Sequence, residues 1–86
     1  MKITENNEAV FECKFNRDPK FENVKWFKDD EPLEEDGSRI KFVNDGKRQS
    51  LIIKPAKLSD TGNYSIKVRK VESNGWLKVR GIKIKL

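Results

Sequence analysis

The sequence predicts an all-β fold, an antiparallel β-sandwich of about seven or eight short strands. Three observations lead to this prediction. Apolar residues recur with a period of two in short runs, which is typical of strands with one buried face. Turn-rich pieces separate these runs at roughly ten-residue spacing. No segment of helix length is amphipathic.

In chain order, the strand-like runs are AVFECKF, NVKWFK, SLIIK and NYSIKV. The turn-rich pieces between them are NRDPK, KDDEPLEEDGS, NDGKR and SDTG. Alternation within each run predicts one inward-facing set of side chains. Its members are Ala9, Phe11, Cys13, Phe15, Val24, Trp26, Leu51, Ile53, Tyr64, Ile66 and Val68.

The last third of the chain predicts a hairpin followed by a bulged strand. ESNG suits a tight hairpin connection because Asn74 and Gly75 accept positive φ, and this places Trp76 at the hairpin tip. The final run, WLKVRGIKIKL, alternates in two registers, so one inserted residue is needed to keep both apolar sets inward. Gly81 is the residue expected to form that β-bulge. The two sets are Leu77 and Val79, then Ile82, Ile84 and Leu86.

Length and charge limit the interpretation further. A chain of 86 residues predicts a single domain over residues 1–86, because there is no room for a second core. The net charge is +5, and the segment 61–86 carries seven basic residues and one acidic residue. The sequence contains no apolar stretch of about 18 residues and no basic-then-apolar leader. We therefore expect neither a membrane span nor a signal peptide.

Cys13 is the only cysteine, so an internal disulfide is impossible. A secreted domain of this size usually carries disulfides to supplement a small core. We expect Cys13 to be a reduced, buried thiol that packs as a small apolar side chain. The chain has no histidine and no second cysteine, so a reactive or metal-binding role for Cys13 is not expected.

From about Glu8 to Leu86 the chain resembles an immunoglobulin domain of the I-set type. Cys13 matches the cysteine of strand B, and Trp26 in VKWFKDDEPL matches the tryptophan of strand C. SRIKF resembles strand D, and DGKRQSLIIKPAKLSDTGNYSI resembles the D–E turn, strand E and the start of strand F. The run L-x-I-x-x-A-x-x-x-D-x-G-x-Y, from Leu51 to Tyr64, is much more specific than any pair of its letters.

The resemblance implies structural roles for several residues. Trp26 would fill the centre between the sheets, and the Tyr64 hydroxyl would bond to backbone near Leu58 to Asp60. Gly62 would permit the sharp turn into strand F, and Asp60 would pair with Arg39. The residues assigned to the structural core are Cys13, Trp26, Leu51, Ile53, Asp60, Gly62, Tyr64 and Ile66.

Ile66 occupies the position where this family ordinarily places its second disulfide cysteine. An aliphatic side chain there fills the core without oxidation, which suits a reducing compartment. The implied setting is intracellular, as in the I-set domains of the titin, twitchin, obscurin and myosin-binding protein C group of muscle proteins. The segments VKWFKDD and DGKRQSLII look most like that group.

Asn63-Tyr64-Ser65 forms an N-glycosylation sequon, which would matter only on a secreted domain. This pattern keeps an extracellular adhesion or receptor domain of the same fold as the alternative. A glycan on Asn63 would overturn the intracellular interpretation.

No catalytic constellation is present. Histidine is absent, and no Ser-x-x-Lys, Gly-x-Ser-x-Gly or glycine-rich phosphate loop occurs. The acidic run between Asp29 and Asp36 lacks the alternating ligand spacing and the central glycine of a calcium loop. We expect no enzymatic activity, no cofactor and no metal.

A basic face is the candidate binding site. Outward positions of strands C, F and G should share one sheet and form a positively charged strip that contains aromatic residues. The candidate residues are Lys25, Phe27, Lys67, Arg69, Trp76, Lys78, Arg80, Lys83 and Lys85. The alternatives are an ordinary soluble face whose lysines deter edge pairing, and a Trp76 that folds over a neighbouring loop.

Taken together, these features predict a non-enzymatic module of a sarcomeric or cytoskeletal protein in the cytoplasm. It would act as a mechanical spacer between neighbouring immunoglobulin or fibronectin-type domains, and would dock actin or myosin through the basic face. Nucleic-acid binding is not expected, because it normally combines positive charge with several stacking aromatics. We expect no membrane partner and a monomeric isolated domain.

Overall fold

The computed structural model describes residues 1–20 and 24–81. Their elements are β1 (Lys2–Thr4), β2 (Ala9–Lys14), β3 (Val24–Lys28), β4 (Glu31–Pro32), β5 (Ile40–Asp45), β6 (Arg48–Ile53), a 3₁₀ turn (Leu58–Asp60), β7 (Gly62–Val68) and β8 (Val71–Arg80). The described residues form no α-helix, so the predicted all-β fold is confirmed.

The strands form two sheets that pack as a sandwich. One sheet has five strands in the order β1-β8-β7-β3-β4, and the other has three in the order β2-β6-β5. Neighbouring strands are antiparallel except β1 and β8, which run parallel, with Ile3 opposite Val79. This pairing places the first strand beside the last described one.

The core lies between the sheets and consists mainly of the predicted period-two positions. Its buried apolar members are Ala9, Trp26, Leu51, Ile53, Ala56, Tyr64, Ile66, Val68, Leu77 and Val79. Ala56 is not in the predicted sets, and the predicted Phe11, Phe15 and Val24 are half-buried against this core. Ile66 is opposite Trp26 in the β3–β7 pair, and both line one small cavity together with Cys13. The aliphatic side chain of Ile66 therefore lies in the interior beside the cysteine and the tryptophan, as the sequence predicts.

Cys13 is half-buried rather than fully buried, which corrects the sequence expectation. It lies near the end of β2, opposite Gln49, and lines the same small cavity as Trp26 and Ile66. Burial raises the pKa of its thiol. The thiol is therefore protonated and weakly nucleophilic at neutral pH.

A hydrogen-bonded corner joins the two sheets at the 3₁₀ turn. Tyr64 Oη donates to the carbonyl oxygen of Asp60 at 2.6 Å, and the buried Asp60 carboxylate accepts from Arg39 Nη1 at 2.8 Å. The Lys57 N–H donates to the same carboxylate at 2.7 Å. Both contacts predicted from the resemblance are thus present, and the buried carboxylate has several donors to offset its desolvation.

The prediction of a hairpin turn at Asn74-Gly75 is wrong. β7 and β8 are joined at Arg69 and Lys70, and Arg69 has a φ of 55°. Gly75 instead lies within β8, where a Cβ would be 3.2 Å from the Phe11 ring. Since that ring packs on Tyr64 with centroids 5.0 Å apart, the missing side chain at Gly75 makes room for an aromatic contact and not for a turn.

Trp76 is consequently not at a hairpin tip. It lies within β8, opposite Asn63. The alternation that buries Leu77 and Val79 directs Trp76 outward, where 57% of its surface is exposed. β8 ends at Arg80, so Gly81 lies just after the strand. The second apolar set, Ile82, Ile84 and Leu86, lies outside the described residues, and the bulge at Gly81 stays a prediction.

Candidate protein-binding face

Strand register places four of the predicted basic residues, Lys25, Lys67, Lys78 and Arg80, on the outward side of the five-stranded sheet, which we call the outer face. Its described members are Lys2 and Thr4 on β1, Glu72, Asn74, Trp76, Lys78 and Arg80 on β8, Asn63, Ser65 and Lys67 on β7, and Lys25 and Phe27 on β3. The outer face therefore carries five basic side chains and one acidic side chain among the described residues.

The basic side chains form two rows across the strands. Lys25 lies directly opposite Lys67 in the β3–β7 pair, and Lys2 lies directly opposite Lys78 in the β1–β8 pair. Arg80 continues the second row one outward position further along β8. In residues 1–20 and 24–81 the only ion pairs within 4.0 Å are Arg39–Asp60 and Arg48–Glu12, so none of these five cations has one.

Between the rows lies an aromatic and polar centre. Trp76 is exposed, Phe27 is half-buried, and Ser65, which lies between Phe27 and Asn74, is buried. An exposed tryptophan within a rigid paired strand offers a large apolar contact area at low entropic cost. Charge and apolar area are thus combined on one face of the sheet.

Six of the nine predicted binding residues meet on the outer face: Lys25, Phe27, Lys67, Trp76, Lys78 and Arg80. Arg69 does not, because it forms the β7–β8 turn with positive φ. Lys83 and Lys85 lie outside the described residues.

Sequence reasoning missed Lys2, the partner of Lys78. Only the register of the β1–β8 pair places Lys2 beside Lys78, so no local pattern in the sequence identifies it.

The acidic segment between β3 and β5 is used for backbone capping. Asp36 Oδ1 accepts the N–H groups of Ser38, Arg39 and Ile40 at 2.7–2.9 Å. These bonds, led by the one from Ile40, lower the pKa of Asp36 to about 2. Glu35 Oε1 accepts the N–H of Phe42 at 2.7 Å.

These two carboxylates cover the outer edge of β5. Arg39 O accepts from Lys54 N–H, so the alternating N–H groups of Ile40 and Phe42 point away from β6. Covering such donors deters pairing with another chain. No group of three His, Cys, Asp or Glu side chains within the described residues could hold a metal ion.

Asp29 performs a third capping role. Its Oδ1 accepts the N–H of Asn63 at 2.9 Å, and its own N–H donates to the Asn63 carbonyl at 2.7 Å. A Cβ on Gly62 would be 2.8 Å from this carboxylate, so Gly62 is required for the close approach of Asp29. Its φ is not in the left-handed region, so the reason is space and not an unusual backbone angle.

The sequon Asn63-Tyr64-Ser65 lies within β7, the central strand of its sheet. Asn63 is half-buried and Ser65 is 4% exposed. In the part of the chain that the structure describes, no helix is long and apolar enough to cross a membrane.

Chemically, the described residues of the outer face present cations, amides and aromatic rings, which make ionic, hydrogen-bonding and apolar contacts with a partner surface. Cations and an exposed tryptophan are the features that recognise an acidic protein surface.

Comparison with known proteins places the chain in a family. The family model described as "Immunoglobulin I-set domain" matches residues 1–78. The muscle M-line assembly protein unc-89 of Caenorhabditis elegans is 42% identical over 69 residues, which are 79% of this chain and 1% of that protein. Titin of Drosophila melanogaster is 38% identical over 77 residues, which are 90% of this chain and a share of that protein that rounds to 0%.

Solved structures agree with the sequence relatives. The crystal structure of domain I10 from titin has a TM-score of 0.79 and 26% identity, over 92% of this chain and 86% of that one. The chain thus corresponds to a very small part of the curated relatives it matches, and to most of a single solved domain. Since the family model covers nearly the whole sequence, the chain belongs to the immunoglobulin I-set domain family, as its motifs predict.

Proposed function

We propose that residues 1–86 form a single non-catalytic module of a sarcomeric or cytoskeletal filament protein. It acts as a mechanical spacer between neighbouring immunoglobulin or fibronectin-type domains in the cytoplasm, and it docks actin or myosin through the outer face. Support comes from the relatives, which are a titin and a muscle M-line assembly protein. The observation that carries the proposal is the parallel pairing of β1 with β8.

That pairing provides a path for load. Lys78 N–H donates to the Met1 carbonyl at 2.9 Å, and Glu5 N–H donates to the Arg80 carbonyl at 2.7 Å. These two bonds flank the segment in which β1 and β8 run parallel. β1 is the first strand of the described fold and β8 is the last. Tension that pulls β1 and β8 in opposite directions shears the bonds together, so they must break together.

Ile3 tests the load path. By alternation from the Met1 and Glu5 contacts, the Ile3 N–H points toward β8 and the Lys2 N–H points away. Ile3→Pro should lower the unfolding force in single-molecule stretching and cost about 1 kcal/mol of equilibrium stability for the lost bond. Ile3→Ala controls for the apolar side chain, and Lys2→Pro controls for the ring. An unfolding force equal to that of both controls would contradict the spacer proposal.

The outer face supports docking because its cations, which have no ion pair with another described residue, suit acidic filaments. The double variant Lys67→Glu, Lys78→Glu should lose cosedimentation with actin or myosin filaments at about 50 mM salt, by about tenfold or more in affinity. Its matched control, Lys41→Glu with Lys47→Glu, makes the same charge change at exposed positions of the other sheet and its turn. Equal binding by both double variants would remove the outer face as the docking site.

A further inference from the structure

Two lysine pairs on the outer face are arranged at a cost to the fold. Lys25 faces Lys67, and Lys2 faces Lys78, each in direct cross-strand opposition. Like charges directly opposite on one sheet face are destabilising. Among the described residues no carboxylate lies within salt-bridge distance of either pair. An anionic group that bridges a pair would relieve its repulsion.

The two pairs have a defined separation. Lys67 lies opposite Glu72 and Lys2 lies opposite Lys78, so the two rows are six positions apart along β8, or roughly 20 Å at about 3.3 Å per residue. The Lys25–Lys67 pair also lies two strands away from the Lys2–Lys78 pair, at about 4.8 Å per strand, so the two pairs are roughly 22 Å apart. Trp76 lies between them, two residues or about 7 Å from the Lys78 row. Glu72 weakens the first row, so the row of Lys2 and Lys78, which Arg80 extends, is the more strongly positive.

The shape of the surface selects the conformation of the partner. An extended peptide laid on this sheet face gains no ladder hydrogen bonds, because the backbone groups of β3, β7 and β8 are already paired within the sheet. An α-helix satisfies its own backbone and contacts the face through side chains alone. Four helical turns span about 21 Å, which matches the separation of the rows.

We infer that the outer face binds an acidic α-helix of a partner protein, with two carboxylate clusters about four turns apart and an apolar side chain between them, about one turn from one cluster. One cluster bridges Lys25 and Lys67, the other bridges Lys2 and Lys78, and the apolar side chain packs on Trp76. This inference rests on the proposed docking function and specifies its partner.

Two synthetic alanine-based helical peptides test the spacing. The first carries two Glu pairs 14 residues apart and a leucine four residues from one pair. The second has the same composition, with the Glu pairs seven residues apart. Anisotropy of the labelled peptides at about 50 mM salt should show the first peptide binding about fivefold more tightly, since only it reaches both rows.

The variants identify the contacts. Lys25→Gln with Lys67→Gln should reduce binding of the first peptide to the level of the second, whereas Lys41→Gln with Lys47→Gln should leave both unchanged. Neutralising the opposed lysines should also raise Tm slightly, which excludes misfolding as the cause. Binding should shift tryptophan emission to the blue, because Trp76 is 57% exposed while Trp26 is already buried.

Three results would overturn the inference. Equal affinities of the two peptides would show that the outer face attracts acidic helices whatever the spacing of their Glu pairs. An unchanged emission spectrum would remove Trp76 from the contact. If neither peptide binds while filament cosedimentation still depends on Lys67 and Lys78, the helical partner is refuted and the docking function stands. If cosedimentation also fails, the docking function falls with it.

Discussion

Replacing Trp26 by alanine is expected to lower the free energy of unfolding by about 3–5 kcal/mol. Trp26 is 4% exposed, lies opposite Ile66 and packs near the Phe42 ring at a centroid distance of 6.3 Å. Its removal leaves a cavity between two sheets that are each held by backbone pairing and cannot fully collapse. A domain of this size is stabilised by only about 5–10 kcal/mol, so the variant should be close to unfolded.

The chain provides a matched control for this loss. Trp76 is the only other tryptophan and is 57% exposed. Trp76→Ala should change stability by less than about 1 kcal/mol in urea titration followed by circular dichroism. Similar losses for the two variants would contradict the placement of Trp26 at the centre of the core and of Trp76 on the outer face.

Replacing Asp60 by asparagine is expected to cost about 2–3 kcal/mol. The Asp60 side chain is 8% exposed and binds Arg39 through Nη1 at 2.8 Å and Nη2 at 3.4 Å. Asparagine would leave the mostly buried guanidinium without its counter-charge. Glu12→Gln is the matched control, because it removes the other ion pair, whose side chains are both 52% exposed. That change should cost less than about 1 kcal/mol.

Asp60 also predicts how stability depends on pH. Burial alone would raise the pKa of Asp60, but the hydrogen bonds from Arg39 and Lys57 and the charge of Arg39 outweigh burial and lower the pKa. The native pKa is therefore below the unfolded value of about 3.9, so the stabilisation is complete above about pH 4–5 and is lost as pH falls through the native pKa. The pKa of Asp36, near 2, acts in the same direction. Asp60→Asn should make the acid decline shallower than in the parent chain; an identical pH profile would show that Asp60 is not coupled to folding.

The core could be predicted from the sequence because burial in a sandwich follows strand alternation. Each apolar run contributes one face, and a slip of one residue would turn the whole set to solvent. The Arg39–Asp60 pair and the Tyr64 hydroxyl contact could be predicted for another reason. They belong to a motif whose spacing, from Leu51 to Tyr64, is specific to this family.

The β7–β8 connection could not be predicted from local turn preference. Asn-Gly is a strong hairpin signal, yet continuous pairing to Val68↔Val71 moves the turn to Arg69 and Lys70. Seven paired residues on each strand outweigh the preference of one dipeptide. The space that Gly75 leaves for the Phe11 ring depends on a residue more than sixty positions away, which no local pattern reveals.

The hydrogen bonds of the acidic segment could not be predicted for a similar reason. Its carboxylates are exposed, but Glu35 and Asp36 also accept N–H groups of β5, and Asp29 accepts one of β7. These contacts depend on where the loop passes the strand edges, so they follow from the fold and not from spacing. The two lysine pairs of the outer face likewise require the strand register.

Oxidation of an Ile66→Cys variant tests most directly whether an aliphatic residue lies where the fold can hold a cystine. The new thiol should form an intramolecular disulfide with Cys13 under mild oxidant, seen as a faster-migrating monomer on a non-reducing gel. Closing the chain between residues 13 and 66 should stabilise the oxidised form by about 3–4 kcal/mol over its reduced form. If the variant yields only intermolecular dimers, or both thiols stay free, Ile66 does not face Cys13 across the core and the account is wrong.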